Sequence, residues 1–265
     1  MASLRSAPRG AGISVVMPVA YDWRYALDSL SHCYAIADEI VLGLDAQRVS
    51  WSGKRYPFNE RAFRAGLKRL DPQAKIRVVE ANFHAQVSPG DNDTFERNAL
   101  SRLCRAGNWV LQIDSDEWMR NPAEFAGWLS RRRLARPVCA RWLNVYKVLG
   151  GTALVVDGAA EWVQVGSARP DRYIHMRDTG GWPQRSPLEL LHFGWGRSRA
   201  ELKRKLENWS HSRDFEPAQA LRRWDSVTLA NHRGQRDLHP IHPPTWPRLR
   251  AVPLAGLRAG AGGSA

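Results

Sequence analysis

Apolar stretches of strand length alternate with stretches of helical periodicity along the first half of the chain. The apolar stretches are rich in Val, Ile and Leu, which is typical of strands buried on both faces of a sheet. The segments between them carry apolar residues at i, i+3 and i+4 spacing, which indicates helices with one buried face. The predicted strands are 13–20, 39–45, 75–83 and 109–113, and the predicted helices are 26–37, 60–70 and 93–107. This alternation predicts an α/β fold with a mostly parallel sheet flanked by helices.

The second half of the chain is less regular, and most of its predicted elements are shorter. Gly150-Gly151 is expected to turn one strand back on the next. The predicted elements are helices at 121–133 and 199–213 and strands at 138–149, 152–157, 161–165, 172–176 and 188–193. We expect one domain at 13–233, with halves at 13–120 and 121–233, between a disordered arm at 1–12 and a peripheral or disordered tail at 234–265.

The strand predicted at 109–113 ends on three carboxylates, Asp114, Asp116 and Glu117. Ligands of open α/β sheets bind outside the carboxyl ends of the strands, so these acids are predicted to lie at the functional edge. Closely spaced hard oxygen ligands suit Mg²⁺ or Mn²⁺, with substrate phosphates completing the shell. The alternative is that the acids cap the next helix. The segment N-P-A-E at 121–124 already gives that helix a start signal, which favours the metal interpretation.

The helix before this strand also has a start signal, because Asp93-Thr-Phe-Glu96 has the form of a capping box. Arg97 and Asn98 then fall in its first turns. A helix N-terminus with a nearby arginine is suited to binding an anion. The alternative for Arg97 is an ordinary exposed side chain.

Net charge and cysteine content narrow the class of protein. The 265 residues carry a net charge of +13, which suits anionic partners such as nucleotide diphosphates, an acidic membrane surface or nucleic acid. Much of the excess is arginine scattered along the chain, so a solvated basic surface is the alternative. The three cysteines form no C-x-x-C pair, no apolar stretch approaches the ~20 residues of a membrane span, and no signal peptide is recognisable. We expect a cytoplasmic protein, with contact at the inner face of the membrane compatible with its charge.

Five motifs follow one another in a specific order. They are I-S-V-V-M-P-V-A at 13–20, E-I-V-L-G-L-D at 39–45, E-R-N-A-L at 96–100, V-L-Q-I-D-S-D-E at 110–117 and L-H-F-G-W-G-R-S at 191–198. Together they resemble the family 2 glycosyltransferases of the GT-A type, including the short bacterial glycosyltransferase 2-like proteins. The resemblance implies a GT-A-like, Rossmann-type fold, in which 13–120 binds a nucleotide-sugar and an irregular portion after residue 120 binds the acceptor. It also implies metal-dependent transfer of a hexose-like sugar from a UDP- or GDP-sugar to a saccharide or glycolipid, with inversion at the anomeric carbon.

The resemblance gives roles to the residues that match its motifs. Pro18, Val19 and Tyr21 are expected to line the nucleotide pocket, and Asp45 to contact the base or ribose. Asp114 and Asp116, with His192, are expected to hold Mn²⁺ or Mg²⁺ against the two phosphates. For His192 a structural role is the alternative, since a lone histidine seldom binds a metal. Arg97, Asn98 and Lys205 complete the predicted donor site, and Lys203 is a further candidate for phosphate contact.

Inversion also needs a base that takes the proton of the acceptor hydroxyl. The E-D pair and the Q-x-x-R-W motif of processive family members are absent, so the resemblance identifies no base. The candidates are Glu161 and Asp157, in the loop before Trp162, each with an ordinary loop carboxylate as its alternative. Glu117 is a further candidate because it is next to the metal motif. Twelve tryptophans are many for this length, and indole faces stack well on sugar rings. Trp162, Trp182 and Trp195 are the candidates for sugar contact, although most tryptophans are expected in the core.

Two other classes of function remain open. A nucleotidyltransferase also joins an α/β sheet to a metal-held diphosphate, but it is expected to carry a Gly-rich basic loop after the first strand, where this chain has V-A-Y-D-W-R. No G-x-G-x-x-G follows that strand either, which counts against a dinucleotide site. A non-catalytic basic protein would bind nucleic acid or an anionic surface in a strongly salt-dependent way. No helix-turn-helix, zinc-finger or aromatic RNA-binding signature is present, which counts against nucleic acid as a partner.

Overall fold

The computed structural model describes residues 11–158, 160–168, 172–241 and 246–258, which form a ten-stranded sheet flanked by helices. The strands are β1 (Ile13–Val19), β2 (Glu39–Asp45), β3 (Ile76–Ala81), β4 (Trp109–Gln112), β5 (Glu117–Met119), β6 (Val138–Leu149), β7 (Thr152–Asp157), β8 (Glu161–Ser167), β9 (Gln184–His192) and β10 (Arg248–Pro253). The helices are α1 (Trp23–Cys33), α2 (Glu60–Leu70), α3 (Pro89–Ser101), α4 (Pro122–Ser130), α5 (Arg199–Asn208), α6 (Pro217–Ser226) and α7 (Leu254–Arg258). The α/β prediction is therefore confirmed.

The first half of the chain builds a parallel block with the strand order β3-β2-β1-β4. All seven residues of β1 are buried, as the unbroken apolar pattern predicts for a strand covered on both faces. Helices α1 and α2 pack on one face of this block, and α3 packs on the other, through Leu100. The carboxyl ends of β1, β2 and β4 therefore open at one edge of the sheet.

The second half of the chain adds mainly antiparallel strands, so the sheet is mixed and the mostly parallel prediction is wrong. Strand β8 pairs antiparallel with both β4 and β6, and β7 pairs antiparallel with β6 and β10. The reason is the length of the connections. A parallel pair needs a long crossover, whereas the two-residue turn at Gly150-Gly151, where Gly150 has a φ of 61°, can only reverse the chain.

The strand predicted at 172–176 is also wrong, because side chains of α3 bind the backbone of this segment. The Asn98 Oδ1 atom accepts from the Tyr173 backbone N–H at 2.8 Å, and the Thr94 Oγ1 atom accepts from that of Met176 at 2.7 Å. Met176 has a φ of 47°, which is incompatible with extended pairing. The segment is consequently a loop fixed on α3, and it brings the following residue, Arg177, to the sheet edge.

Helix α3 begins at Pro89 and not at Asp93. The Ser88 Oγ atom accepts from the Asp91 backbone N–H at 3.1 Å, so Ser88 caps the helix and Pro89 occupies its first position. The capping-box prediction at Asp93 is wrong because this earlier serine already satisfies the helix start. Asp93 and Arg97 then lie one turn apart inside α3, both buried.

A second hydrophobic core lies beneath the later strands and is closed by α5, α6 and the segment around Trp246. Helix α6 lies in a region for which the sequence predicted no element. The chain after residue 234, predicted to be peripheral or disordered, supplies the edge strand β10 and the buried Trp246. Residues 1–10 of the predicted arm lie outside the described residues. Among the helices that the structure describes, none could cross a membrane.

Candidate functional site

A cavity of about 530 Å³ opens at the carboxyl ends of β1, β2 and β4. One part of its wall is aromatic and apolar, and another part carries acids and cations. The residues that line it include Pro18, Val19, Tyr21, Trp51, Tyr56, Phe83, Asp93, Glu96, Arg97, Asp114, Asp116, Trp142, Trp162, Arg177, Lys205 and His211. The cavity therefore lies at the edge where the sequence predicts the functional site.

Two arginines hold Asp114 at the floor of the cavity. The Arg97 Nη2 atom lies 2.8 Å from Asp114 Oδ1, and the Arg177 Nη2 atom lies 3.4 Å from Asp114 Oδ2. Arg97 is itself held by Asp93, one turn earlier on α3, at 2.5 Å. Burial alone would raise the pKa of Asp114, but the charges of Arg177 and Arg97 outweigh it and lower that pKa below its usual value. Asp114 is therefore ionised at neutral pH.

Two further cations meet the carboxylate of Asp116, which is only 3% exposed. The Lys205 Nζ atom lies 2.6 Å from Asp116 Oδ2, and the Arg197 guanidinium contacts the same oxygen. Arg197 also binds Asp22 at 3.1 Å. Burial would raise the pKa of Asp116, but Lys205 and Arg197 hold that pKa well below its usual range.

His192 stands beside Asp116 because β9 pairs with β5 in a register that places His192 opposite Glu117. Its Nε2 atom lies 3.7 Å from Asp116 Oδ1, its Nδ1 atom lies 2.6 Å from Asn144 Oδ1, and its ring stacks on Trp142. Burial lowers the pKa of His192 to about 3, so the ring is neutral at physiological pH.

Gly194 makes this close packing possible. A Cβ atom on Gly194 would lie 2.7 Å from the His192 ring and 3.3 Å from Lys205 Nζ. The turn after β9 then leads through Arg197 into α5, which carries Lys205. The motif L-H-F-G-W-G-R-S and the helix that follows it thus deliver three side chains, those of His192, Arg197 and Lys205, to Asp116, the second aspartate of D-S-D.

The donor set does not fit a resident divalent ion in this arrangement. The described residues contain no group of three or more Asp, Glu, His or Cys side chains placed to hold a metal, and the carboxylates of Asp114 and Asp116 already have cationic partners. A divalent ion bound to Asp116 Oδ2 would have to compete with the Lys205 ammonium and the Arg197 guanidinium, which already contact that oxygen. The metal site predicted at Asp114, Asp116 and His192 therefore stays a prediction, and the reaction proposed for this site does not require it.

The predicted nucleotide residues divide into those that line the cavity and those that do not. Pro18, Val19 and Tyr21 line it. Asp45 lines it too, but its carboxylate already accepts from the backbone N–H groups of residues 47, 49 and 83 and contacts His84 Nδ1 at 2.8 Å. That carboxylate shapes the cavity wall. Asn98 is absent from the wall because its amide binds the backbone of residues 94 and 173.

The three predicted bases lie outside the cavity wall. Glu117 is fully buried, with Arg177 on both oxygens at 2.7 and 2.8 Å and Trp142 Nε1 at 2.6 Å. Glu161 binds Asn144 and Trp246 Nε1, and Asp157 binds Arg248 on β10 at 3.0 Å. Glu117 and Glu161 therefore hold parts of the fold together, whereas Asp157 forms an ion pair at the surface with its side chain 35% exposed.

The predicted sugar-binding tryptophans are also separated by the fold. Trp162 lines the cavity, whereas Trp195 is buried in the second core and stacks on Tyr146. Trp182 is 85% exposed and is not part of the cavity wall. Lys203 is exposed on α5 and pairs with Glu207 at 2.6 Å, on the surface.

Several residues that line the cavity or lie beside it were not singled out by sequence reasoning. Glu96 accepts from Trp51 Nε1 at 2.6 Å, and burial raises the pKa of Glu96 to about 8. Both Glu96 and Arg197 lie inside quoted motifs, so the motifs themselves were the available signal. Arg177 follows an irregular segment with no periodicity, and only the tertiary structure reveals its place.

Comparison with known proteins adds no family to this geometry. The chain matches no protein-family model, and it matches no curated protein. The resemblance to family 2 glycosyltransferases therefore stays a prediction that rests on the quoted motifs.

Proposed function

We propose that the protein transfers a sugar from a UDP- or GDP-sugar to a saccharide or glycolipid acceptor. The main supporting observation is that one cavity joins an aromatic slot, which includes Tyr21 and Tyr56, to a cluster of buried cations at the carboxyl ends of parallel strands. A nucleoside diphosphate has the same two parts, a planar base followed by two anionic phosphates. Cavities that bind small molecules typically combine apolar walls with a few convergent polar groups, as this one does.

The aromatic slot contains a hydrogen-bonding group that a ligand would satisfy. The Tyr56 side chain is buried and lines the cavity, and its Oη atom has no hydrogen-bond partner among the described residues. Burial raises the pKa of Tyr56, so the hydroxyl keeps its proton and can donate. Leaving such a group without a partner costs about 1–3 kcal/mol, which a nucleoside carbonyl or hydroxyl would recover. Tyr21 packs edge-on to Tyr56 with ring centroids 6.1 Å apart, beside Pro18 and Val19.

The cationic part of the wall suits the leaving group. As the acceptor oxygen bonds to the anomeric carbon, the bond from that carbon to the phosphate oxygen breaks, and the nucleoside diphosphate leaves with the bonding electrons. Its developing charge is stabilised best by cations fixed in advance in a site with little water. Arg97, Arg177 and Lys205 line the cavity and are held by Asp114 and Asp116.

The acceptor hydroxyl needs a base, and His211 lines the same cavity. Its Nδ1 atom lies 2.7 Å from Asp214 Oδ2. A carboxylate can only accept in this contact, so Nδ1 carries the proton and Nε2 is the nitrogen that can receive another. We propose that His211 accepts the proton of the acceptor hydroxyl. The sugar ring is proposed to lie against Trp162.

Calorimetric titration with UDP and GDP, followed by their sugar conjugates, tests the proposal. We expect one of the two diphosphates to bind with one-to-one stoichiometry and its conjugate to compete for the same site. The Tyr56→Phe variant removes only the hydroxyl and is expected to weaken that binding by about 3- to 10-fold, because one buried hydrogen bond is lost.

Tyr146→Phe is the matched control. The Tyr146 Oη atom is also buried without a hydrogen-bond partner in the described structure, but it lies in the second core. Its removal should leave nucleotide affinity unchanged. If neither diphosphate nor any conjugate binds, with or without Mn²⁺, the transferase proposal is wrong. Salt-sensitive nucleic-acid binding in its place would favour the non-catalytic alternative.

A further inference from the structure

We infer that the Lys205 ammonium, held at the cavity wall by Asp116, takes the place of a divalent metal ion as the cation that contacts the donor's diphosphate. Asp116 is then a positioning residue for Lys205 and not a metal ligand. This inference rests on the proposed function, and it identifies the group that supplies positive charge to the donor's diphosphate.

Lys205 is buried, and its side chain lines the cavity. The residue is only 7% exposed, and its Nζ atom lies 2.6 Å from Asp116 Oδ2 while lining the cavity. An ammonium group has three N–H donors, and within the described residues Asp116 is the one hydrogen-bond acceptor it contacts. The remaining donors are available to an anionic ligand in the cavity.

The Asp116 carboxylate, which holds Lys205, is itself fixed by Arg197. Arg197 contacts Asp116 Oδ2 and Asp22, and its Nε atom donates to the Phe193 carbonyl at 3.0 Å. Arg197 lines a neighbouring cavity with Asp22 and is not part of the wall around Lys205. Arg197 therefore anchors Asp116, while Lys205 faces the proposed donor.

The same arrangement opposes a metal at Asp116. The oxygen that would ligate an ion, Oδ2, already contacts both Lys205 and Arg197. The other oxygen, Oδ1, lies 3.7 Å from His192 Nε2, and the His192 ring is fixed by Asn144 and Trp142. A divalent ion on Oδ2 would have to displace a buried ammonium and guanidinium. An ion on Oδ1 would have His192 beside it, but the described residues contain no group of three or more Asp, Glu, His or Cys side chains placed to hold a metal. The diphosphate, in contrast, is attracted by the cations that are already present.

The backbone keeps Lys205 in this position. The Ser198 and Glu201 side chains form a capping box that fixes the start of α5. Leu202 and Leu206, which flank Lys205 along the helix, are buried in the second core. Gly194 leaves room for the ammonium, since a Cβ atom there would lie 3.3 Å from Nζ.

Titration in EDTA and then in Mn²⁺ tests the inference on the full chain. The probes are the diphosphate that binds best and its matching nucleoside, uridine or guanosine. We expect the wild type to bind the diphosphate in EDTA with an affinity within about twofold of that in Mn²⁺. Lys205→Met is expected to weaken diphosphate binding by about 10- to 100-fold, the size of a lost hydrogen bond to a charged group, with nucleoside binding unchanged.

Two further variants distinguish direct contact between Lys205 and the diphosphate from a structural role of Lys205. Lys203→Met changes the same residue type on the exposed side of α5 and should leave both affinities unchanged. Lys205→Arg keeps the charge and should retain most of the diphosphate affinity. Diphosphate binding that is lost in EDTA and restored by Mn²⁺ would overturn the inference while leaving the proposed function intact. Equal weakening of diphosphate and nucleoside by Lys205→Met would assign Lys205 a structural role. Absence of binding under both conditions would overturn the inference together with the proposed function.

Discussion

At the scale of single residues, the ionisation of each buried acid follows from its partners. Asp116 has two cations on one oxygen, so attraction outweighs burial and its pKa is depressed. Glu96 is equally inaccessible, but its hydrogen-bond partner is the neutral indole of Trp51, and burial raises the pKa of Glu96 to about 8. Two acids at one cavity therefore carry different charges at neutral pH.

A pH dependence of stability follows for Glu96. Its pKa rises from 4.5 to about 8 on folding, so between these values the folded chain binds more protons than the unfolded chain. The contribution of Glu96 to stability is therefore complete below about pH 4.5 and is lost as the pH rises toward 8. The Glu96→Gln variant, which cannot ionise, is expected to gain stability relative to the wild type as the pH increases from 5 to 8. Denaturant unfolding of both proteins across this range measures the difference. A difference that does not change with pH would show that Glu96 is ionised in the folded protein.

At the scale of elements, helix α5 determines where the Lys205 side chain lies. Its start is fixed by Ser198, whose Oγ atom accepts from the Glu201 backbone N–H, while the Glu201 side chain accepts from the Ser198 backbone N–H. Its buried face packs against α6 and the second core. A loss of this cap would therefore affect both stability and the cation at the cavity wall.

The Ser198→Ala variant is expected to lower the free energy of unfolding by about 1 kcal/mol, the usual contribution of a helix N-cap. Ser198→Thr should recover most of the loss, because threonine keeps both the oxygen that accepts from the Glu201 backbone N–H and the hydroxyl that donates to Glu201 Oε2 at 2.6 Å. Denaturant titration followed by circular dichroism gives both values. Equal losses in the two variants would indicate that the serine acts through packing and not through its cap.

At the scale of the whole molecule, one mixed sheet joins the core of the parallel block to the second core. The parallel block supplies the floor of the cavity, while the antiparallel strands and α5 supply the Lys205 side of its wall. The chain after residue 234 covers the second core. Trp246 packs on Tyr146 and Trp195, and β10 covers the edge of β7.

We therefore expect Trp246→Ala to reduce the free energy of unfolding by about 3–5 kcal/mol, the range for removal of a large buried aromatic side chain. Trp182→Ala changes a tryptophan that is 85% exposed and should cost less than about 0.5 kcal/mol. Chemical denaturation of the two variants compares them directly. Similar small losses would mean that the second core does not depend on the tail.

The sequence alone predicted the α/β class, the strands of the parallel block and the edge at which the cavity opens. These features are encoded locally, because each strand is a short apolar run and each helix has its own 3.6-residue period. The D-S-D segment was placed correctly for the same reason, since it directly follows a buried strand.

Only the tertiary structure decided the rest. Asp116, Arg197 and Lys205 are separated by up to 89 residues and meet through the β5 and β9 pairing and the turn at Gly194. Glu117, Glu161 and Asp157 are indistinguishable from catalytic acids in the sequence, yet each lies outside the cavity wall and is bound by a distant partner, Arg177, Asn144 or Arg248. Local patterns determine which segments become strands and helices. The partner of a buried charge is determined by long-range packing, which the spacing of residues along the chain does not record.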